Sequence, residues 1–185
     1  IELTREDEKG VTVFLRWYDT DGEPVQDEFG NYGLSLEYDE EEHIDIITKL
    51  DENGVPHKDK RGICVHFKQK DERGRLIREL WFDENNEPVS NTDGEFGFDY
   101  EYPDEGDVKE VYVSLGSNGE AASNRFGCMY QCVQKDDSGR TSVIMAYDAD
   151  MNPVVCDDYG NYGVRYIYTD DPNSLIIESL DKDGI

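Results

Sequence analysis

Short acidic turns recur along the chain, and their residue types raise the question of a bound cation. The segments "DTDG", "DENG" and "DKDG" begin at Asp19, Asp51 and Asp181 and match the first residues of a calcium loop. Such a loop needs a bidentate glutamate at its twelfth position, but the twelfth residue is Gly30 from Asp19 and Gly62 from Asp51. We therefore expect structural turns and predict no metal site and no cofactor. Weak surface calcium is the alternative.

Histidines and cysteines do not fall into a catalytic or metal-binding pattern. His43, His57 and His66 are dispersed, and the four cysteines contain no CxxC pair. Cys128 and Cys132 are four residues apart, which is ~13 Å along a strand and too far for a disulfide. We expect reduced thiols. No nucleophile elbow, Walker loop or dinucleotide fingerprint occurs, so no catalytic residue is predicted.

Regularly spaced aromatic residues are the candidate ligand-binding positions. Trp17 and Trp81 occupy equivalent places in "WYDTDGEPV" and "WFDENNEPV". Tyr32 and Tyr162 lie in two similar loops, each directly after an asparagine. Rings beside polar groups can stack on sugars or dock a protein partner. The competing interpretation is that these rings pack between neighbouring repeats.

A repeat of about 32 residues positions these groups. Equivalent residues after each turn are spaced by 32, 32, 33 and 32 positions, and units begin near them, at Pro24, Pro56, Pro88, Ala121 and Pro153. An apolar or aromatic residue lies six positions before each of these five residues, and one more such residue continues the series at the same spacing. The series is Tyr18, Leu50, Phe82, Leu115, Tyr147 and Leu180. Long and short loops alternate after the prolines, so the true period is a pair of units, 64–65 residues. The whole chain, 1–185, is therefore interpreted as a single repeat array.

Each unit contains the pattern of a β-hairpin. Segments such as "GLSLEY", "GICVHF" and "GVRYIY" alternate apolar and polar residues, which predicts strands with one half-buried face. A second strand follows, and its two partly apolar faces predict either cover on both sides or an exposed aromatic patch. Turns are predicted at 19–23, 51–55, 83–87, 116–120 and 148–152, where the residues tolerate the left-handed conformation. The predicted fold is all-β, an elongated meander or solenoid-like array of antiparallel hairpins.

Composition limits the partners. The chain has a net charge of −26 and 34% charged residues, and such a surface repels phosphate backbones and anionic lipid. No apolar run approaches the roughly 20 residues of a membrane span. We expect no nucleic acid partner and no membrane insertion.

Both termini fall inside a repeat unit. "REDEKG" aligns with "QKDERG" at Gly74, so the chain is expected to begin at the second turn of a short-loop unit without that unit's first strand. It ends in the turn "DKDG". Because repeat arrays need polar capping units, we expect a fragment of a longer polypeptide, with further repeats or domains as neighbours.

Two segments resemble the tyrosine–aspartate (YD) repeats of bacterial Rhs-type proteins. They are "GLSLEYDEEEHI" and the "GRL" at Gly74. The period here is longer, and the Tyr-Asp pair of Tyr38 is absent from most units. The resemblance implies a β-structured bacterial array that is secreted or at the cell surface rather than cytoplasmic. It assigns no functional residue.

These observations predict a non-enzymatic scaffold or protein-interaction module of a larger bacterial surface or secreted protein. A carbohydrate- or cell-wall-binding module that uses Trp17, Trp81, Tyr32 and Tyr162 is the alternative, and an enzyme of unknown type is the second. Exposure of the two tryptophans distinguishes the scaffold from the carbohydrate-binding module, because burial between hairpins favours a scaffold.

Overall fold

The protein is entirely β-structured in the part that the computed structural model describes, which is residues 2–6, 12–104, 106–169 and 174–185. This confirms the predicted all-β class. The strands are β1 (Glu2–Glu6), β2 (Thr12–Arg16), β3 (Gly33–Asp39), β4 (Ile44–Leu50), β5 (Val65–Lys70), β6 (Leu76–Phe82), β7 (Gly97–Glu101), β8 (Val108–Ser114), β9 (Tyr130–Lys135), β10 (Thr141–Tyr147), β11 (Gly163–Tyr168) and β12 (Leu175–Leu180).

The chain divides into two compact units, Ile1–Asn91 and Thr92–Ile185. Unit 1 contains β1 to β6 and unit 2 contains β7 to β12. In each unit every strand pairs antiparallel with the strand that follows it in the chain. Each unit is therefore a meander of hairpins, as the alternating sequence pattern predicts.

All the predicted turns form where turn chemistry indicated them. In the turn 51–55, the amide of Asp51 donates to the carbonyl of Val55 at 2.9 Å and Gly54 donates back to Asp51 at 3.0 Å. The residues that revealed the repeat are directly paired across these turns. The pairs are Tyr18 with Pro24, Leu50 with Pro56, Phe82 with Pro88, Leu115 with Ala121 and Tyr147 with Pro153.

Burial reproduces the longer period of two hairpins. Leu50, Leu115 and Leu180 are only 2%, 1% and 2% exposed. The alternate members of the same series are half-buried; they are Tyr18, Phe82 and Tyr147. A leucine is therefore almost fully buried once in every pair of units. In the alternate units a partly exposed tyrosine or phenylalanine occupies the same position.

In β3 the predicted division into a buried and an exposed face is wrong, whereas ahead of and within β9 the predicted face does hold the buried Cys128 and Cys132. Ser35 is only 6% exposed, whereas Leu34 and Leu36 beside it are half-buried and Tyr38 is exposed. Most buried side chains lie at the strand ends next to the long connections. There, consecutive residues are buried, so both faces are covered, as the second strands' pattern suggested; Met145 with Ala146 is one such pair.

Close backbone contact explains the glycine that begins β3 and β11. A Cβ atom on Gly33 would lie 2.5 Å from the carbonyl oxygen of Leu15, and one on Gly163 would lie 2.2 Å from that of Ile144. A side chain at either position would force the neighbouring strand away. The glycine of the repeated "NYG" motif is thus required by the close approach of the neighbouring strand.

The expectation that the first unit lacks its first strand is wrong. Residues Glu2–Glu6 form β1 and pair with β2, from Glu2 opposite Arg16 to Glu6 opposite Thr12. The residues ahead of Gly10 are sufficient for a strand, and the turn expected at Gly10 lies outside the described residues.

Candidate functional site

Each unit has its own candidate site, the loop edge. We define it as residues 17–32 and 49–64 in unit 1 and residues 92–96, 114–129 and 146–162 in unit 2. These ranges are the connections after β2, β4, β8 and β10 with the adjoining strand ends, and the part of the β6–β7 connection that belongs to unit 2. Each connection has a tight turn, a short return along the preceding strand and a second loop before the next strand. After β2, for example, Val25 donates to the carbonyl of Trp17 at 3.0 Å, and Asp27 then donates to that of Asn31 at 2.8 Å. Most of the buried polar residues of each unit lie here.

Aspartate side chains build these loops from within. In the turn 51–55, the Oδ1 atom of Asp51 accepts hydrogen bonds from the amides of Asn53 at 2.9 Å and Val55 at 2.8 Å. The same pair of bonds recurs at Asp19, Asp27, Asp59, Asp71, Asp83, Asn124, Asp136, Asp148, Asp157 and Asp181. Backbone donors lower the pKa of Asp51 and Asp83, so these carboxylates stay ionised.

This arrangement gives the acidic turns a structural role, because each Oδ1 atom accepts two backbone amides of its own turn. Among the described residues, no group of three or more histidine, cysteine, aspartate or glutamate side chains is arranged to hold a metal ion. Each loop contains an Asx motif, in which the oxygen of a short side chain accepts hydrogen bonds from nearby backbone amides.

Unit 1 buries an ion pair at its loop edge. Lys49 Nζ donates to Asp59 Oδ2 at 2.5 Å, and the two side chains are 8% and 0% exposed. Arg61 Nε also donates to Asp59 Oδ2, at 3.1 Å. Burial alone would raise the pKa of Asp59, but the Lys49 ammonium and the amides of Ile63 and Arg61 leave it lowered. Burial also lowers the pKa of Lys49, so Asp59 is what keeps the ammonium charged.

Asn31 lies in the long loop of the same unit and is 2% exposed. Its Nδ2 atom donates to both carboxylate oxygens of Asp27, at 3.2 and 3.0 Å, which fixes the orientation of the amide. Its Oδ1 atom is buried and has no hydrogen-bond partner among the described residues. A buried carbonyl oxygen without a partner lowers the free energy of unfolding by about 1–3 kcal/mol unless it accepts a hydrogen bond from water.

Unit 2 has a different set of side chains at the equivalent positions. Glu95 is 4% exposed and Ser114 is fully buried. Glu95 Oε1 accepts from Ser114 Oγ and from Asn124 Nδ2, each at 3.0 Å. Counted along the repeat, Glu95, Ser114 and Asn124 replace Asn31, Lys49 and Asp59. A carboxylate with neutral donors therefore stands where unit 1 has an ammonium–carboxylate pair.

Adjacent loops are also joined to one another within each unit. In unit 1, the Lys60 amide donates to the carbonyl of Phe29 at 3.1 Å and its Nζ donates to that of Glu28 at 3.0 Å. In unit 2, the Arg125 amide donates to the carbonyl of Asp93 at 2.9 Å. The Arg125 guanidinium also contacts the carboxylates of Asp93 at 3.2 Å and Asp158 at 2.8 Å. These contacts hold neighbouring loops in a fixed order.

The four aromatic candidates occupy unequal environments. Trp81 is only 9% exposed and packs edge-on against His66, with ring centroids 6.3 Å apart. Trp17, Tyr32 and Tyr162 are half-buried. The structure brings Trp17 and Tyr32 together, because the Trp17 amide donates to the Tyr32 carbonyl at 3.2 Å. Tyr162 belongs to unit 2, where Ala146 occupies the tryptophan position and is 1% exposed.

Sequence reasoning overlooked two more accessible rings in the same long loops. Phe29 is 38% exposed and Tyr159 is 90% exposed. Each is the second residue after the aspartate that organises its loop, so the spacing from Asp27 and Asp157 was the available signal. Arg61 lies 4.6 Å from the ring centre of Phe29, a cation–π distance.

The thiols do not form part of this accessible chemistry. All four cysteines are free, and Cys64, Cys128 and Cys132 are buried. Burial raises the pKa of Cys64 and raises that of Cys128 to about 12, so neither is a thiolate at neutral pH.

No family model matches the sequence, and neither does any curated protein. In the described part of the chain, no helix has the length and apolar character needed to cross a membrane.

Proposed function

We propose that this chain is a non-enzymatic repeat scaffold whose loop edge binds a protein partner. The observation that carries the proposal is that each unit has a long loop ordered by its own hydrogen bonds, with an exposed ring two residues after the loop's aspartate. Phe29 and Tyr159 project from loops that internal hydrogen bonds already order. Preordered loops lose little entropy on binding, and tyrosine is enriched among the few residues that carry most of the binding energy in protein interfaces.

The chemistry of the loop edge selects a basic partner. Asp27 and Asp157 lie two residues before the rings and bond to their amides. Burial raises the pKa of each carboxyl, but hydrogen bonds from Asn31 and Asn161 leave it below its usual range, so both carboxylates are ionised at neutral pH. A lysine or arginine side chain of the partner can contact a carboxylate and a ring at the same time. The net charge of −26 would accelerate such an encounter at low salt.

Two observations favour a scaffold over the carbohydrate module and the enzyme. Trp81 is 9% exposed and packs on His66, so little of its ring surface is available for stacking on a sugar. The buried thiols have raised pKa values and Lys49 is bound to Asp59, so these reactive groups are used in packing. The placement in a larger bacterial surface or secreted protein remains part of the proposal and rests on the YD-repeat resemblance.

The test is a parallel screen of the chain against an array of Lys- and Arg-rich peptides and an array of glycans and cell-wall fragments. We expect binding to cationic peptides that weakens with added salt and falls about tenfold in Tyr159→Ala. Met151→Ala removes another exposed side chain of unit 2 and should leave binding unchanged. Binding to glycans alone, lost in Trp17→Ala, would instead support the carbohydrate module.

A further inference from the structure

The buried pair of unit 1 brings an amine and a carboxyl group into contact away from water. Lys49 Nζ lies 2.5 Å from Asp59 Oδ2, and the two side chains are 8% and 0% exposed. A second lysine–carboxylate pair of the same unit is more open, because Lys70 lies 2.6 Å from Asp45 but these side chains are 36% and 26% exposed. An amide can form from such a buried pair, since the water that would reverse the reaction is kept out.

The hydrogen bonds of Asp59 suit its carboxyl carbon to attack by an amine. Its Oδ1 atom accepts from the backbone amides of Arg61 at 2.8 Å and Ile63 at 3.1 Å. When an amine adds to a carboxyl carbon, negative charge develops on an oxygen, and fixed amide donors stabilise that charge. The Oδ2 atom accepts from Lys49 Nζ and from Arg61 Nε, the latter at 3.1 Å. One oxygen is therefore held by the donors of an oxyanion hole, and the other is in contact with the amine.

The amine of Lys49 supplies the nucleophile. Burial lowers the pKa of its ammonium group, which increases the fraction present as the free amine. Asp71 accepts the same pair of backbone amides in another turn, but its cationic partner there is Arg75. A guanidinium stays protonated, so it does not attack a carboxyl group. Of these two turns, the one at Asp59 combines a nucleophile with a held carboxyl group.

We propose that Lys49 and Asp59 form an intramolecular amide cross-link between Nζ and Cγ. One ammonium proton passes to Oδ2, and the free amine then adds to Cγ. The charge that develops on Oδ1 is stabilised by the amides of Arg61 and Ile63. A second proton passes from Nζ to Oδ2, the Cγ–Oδ2 bond breaks, and one water molecule leaves. The reaction needs no other reactant and changes no oxidation state, and the fixed contact of the two groups replaces an encounter in solution.

The cross-link fixes the connection after β4 within the loop edge of unit 1. Lys60, next to Asp59, donates through its amide to the carbonyl of Phe29 at 3.1 Å, so the long loop is attached to the cross-linked segment. The inference does not rest on the proposed partner of the loop edge. The bond is detected from the mass of the chain alone, and a chain that binds no peptide can still contain it.

Mass spectrometry of the intact, folded chain tests the proposal. We expect a mass lower than that of the sequence by one water molecule, in a fraction of chains that grows during incubation at neutral pH. Aspartate–glycine sequences such as Asp21–Gly22 can also lose water by forming a cyclic imide, so the position is mapped by proteolysis. Trypsin does not cleave after an amidated lysine. The cross-linked product therefore contains residues 17–58 joined to Asp59 and Lys60.

Variants identify the reacting pair. Lys49→Arg keeps the positive charge without the nucleophile and should show no cross-linked product. Asp59→Asn keeps an oxygen that accepts the backbone amides, as Asn124 does, and should lose ammonia instead of water. Lys70→Arg is the matched control, because it changes the more exposed pair and should leave the cross-linked fraction as in the wild type. Circular dichroism confirms that each variant is folded.

The wild-type chain alone is sufficient to refute the cross-link. A chain that keeps its full mass after prolonged incubation would overturn the proposal. Loss of water only outside the tryptic product that contains Lys49 and Asp59 would do the same, and so would an equal loss of water from that segment in Lys49→Arg.

Discussion

The loop edges of the two units meet the same structural demand with different chemistry. Unit 1 buries Lys49 against Asp59, with Asn31 in the same loop edge. Unit 2 buries Glu95 against Ser114 and Asn124. The backbone is equivalent in both, since Asp59 and Asn124 each accept the amides two and four residues later.

In unit 1, Asp59 performs two roles, and the comparison with Asn124 of unit 2 shows that the two roles can be separated. Accepting the backbone amides requires only an oxygen, and Asn124 shows that an amide oxygen is sufficient. Asp59 also pairs with the buried ammonium of Lys49, whereas in unit 2 the buried carboxyl of Glu95 accepts from the hydroxyl of Ser114 and the amide of Asn124. The loop backbone is therefore constant, while the buried side chains form a set that must change together.

The largest expected effect comes from removing the ammonium of unit 1. Lys49→Met leaves Asp59 fully buried with Arg61 as its remaining cationic partner. We expect a loss of about 2–4 kcal/mol in the free energy of unfolding, measured by urea denaturation at neutral pH. Lys58→Met is the control, because Lys58 pairs with Glu84 at the exposed surface and should change stability by less than about 1 kcal/mol.

A transplant tests whether the buried residues act as a set. The quadruple variant Asp27→Asn, Asn31→Glu, Lys49→Ser and Asp59→Asn gives unit 1 the residues found at 91, 95, 114 and 124. It should recover most of the stability lost in Lys49→Met, because the hydrogen bonds of unit 2 can form. A quadruple variant less stable than Lys49→Met would show that the two loop edges are not interchangeable.

The next effect is expected where unit 2 acquires the charge of unit 1. In Asn124→Asp, a carboxylate replaces the amide that donates to Glu95, so two buried carboxylates face each other. We expect a loss of about 2–3 kcal/mol at neutral pH. Repulsion raises one carboxyl pKa in the folded variant, so the loss should shrink as the pH falls through that raised value.

Asn53→Asp is the control for this change. Asn53 is exposed in a turn of unit 1, so the same added charge should have little effect there. If Asn124→Asp were as stable as Asn53→Asp at neutral pH, the contact between Asn124 and Glu95 would not be what stabilises unit 2.

The sequence predicted the loops well and the buried clusters poorly, for a physical reason. An aspartate that caps its own turn acts within five residues, so composition and spacing are sufficient to locate it. Lys49 and Asp59 are ten positions apart and meet only because the turn after Leu50 folds back at Pro56. Alternation along "GLSLEY" identified a strand, but it could not show that Ser35 is more buried than the leucines beside it.

A smaller effect is expected from acid, and it should distinguish the aspartate loops from the Asn124 loop. Backbone donors lower the pKa of Asp51, Asp83 and Asp148 below that of an unfolded aspartate. Their contribution is present above the unfolded pKa, about 3.9, and is lost as the pH falls through the folded value. The Asn124 loop keeps its hydrogen bonds throughout.

Carbon-13 carboxyl titration by NMR measures these pKa values directly, and acid unfolding of Asp51→Asn measures their consequence. The variant keeps an oxygen acceptor, so its stability should fall less steeply between about pH 5 and pH 2 than that of the wild type. An Asp51 carboxyl that titrates at or above the unfolded value would contradict the proposed role of the amides.

The smallest effect concerns one turn of unit 2 in which a methionine replaces glycine. Met151 has a φ of 63° and is 53% exposed, whereas Gly22 and Gly54 hold the equivalent position in unit 1 with φ of 86° and 79°. The left-handed conformation costs an ordinary side chain about 1–2 kcal/mol, and a glycine in the unfolded chain offsets part of the gain. Met151→Gly should therefore stabilise the protein by about 0.5–1 kcal/mol, seen as a small rise in the thermal midpoint. Met151→Asn copies Asn86, which has a φ of 62°, and should give a smaller gain of the same sign. If Met151→Gly lowered the midpoint while Met151→Leu left it unchanged, the methionine side chain would be contributing packing at this turn, and the strain would already be offset in the native protein.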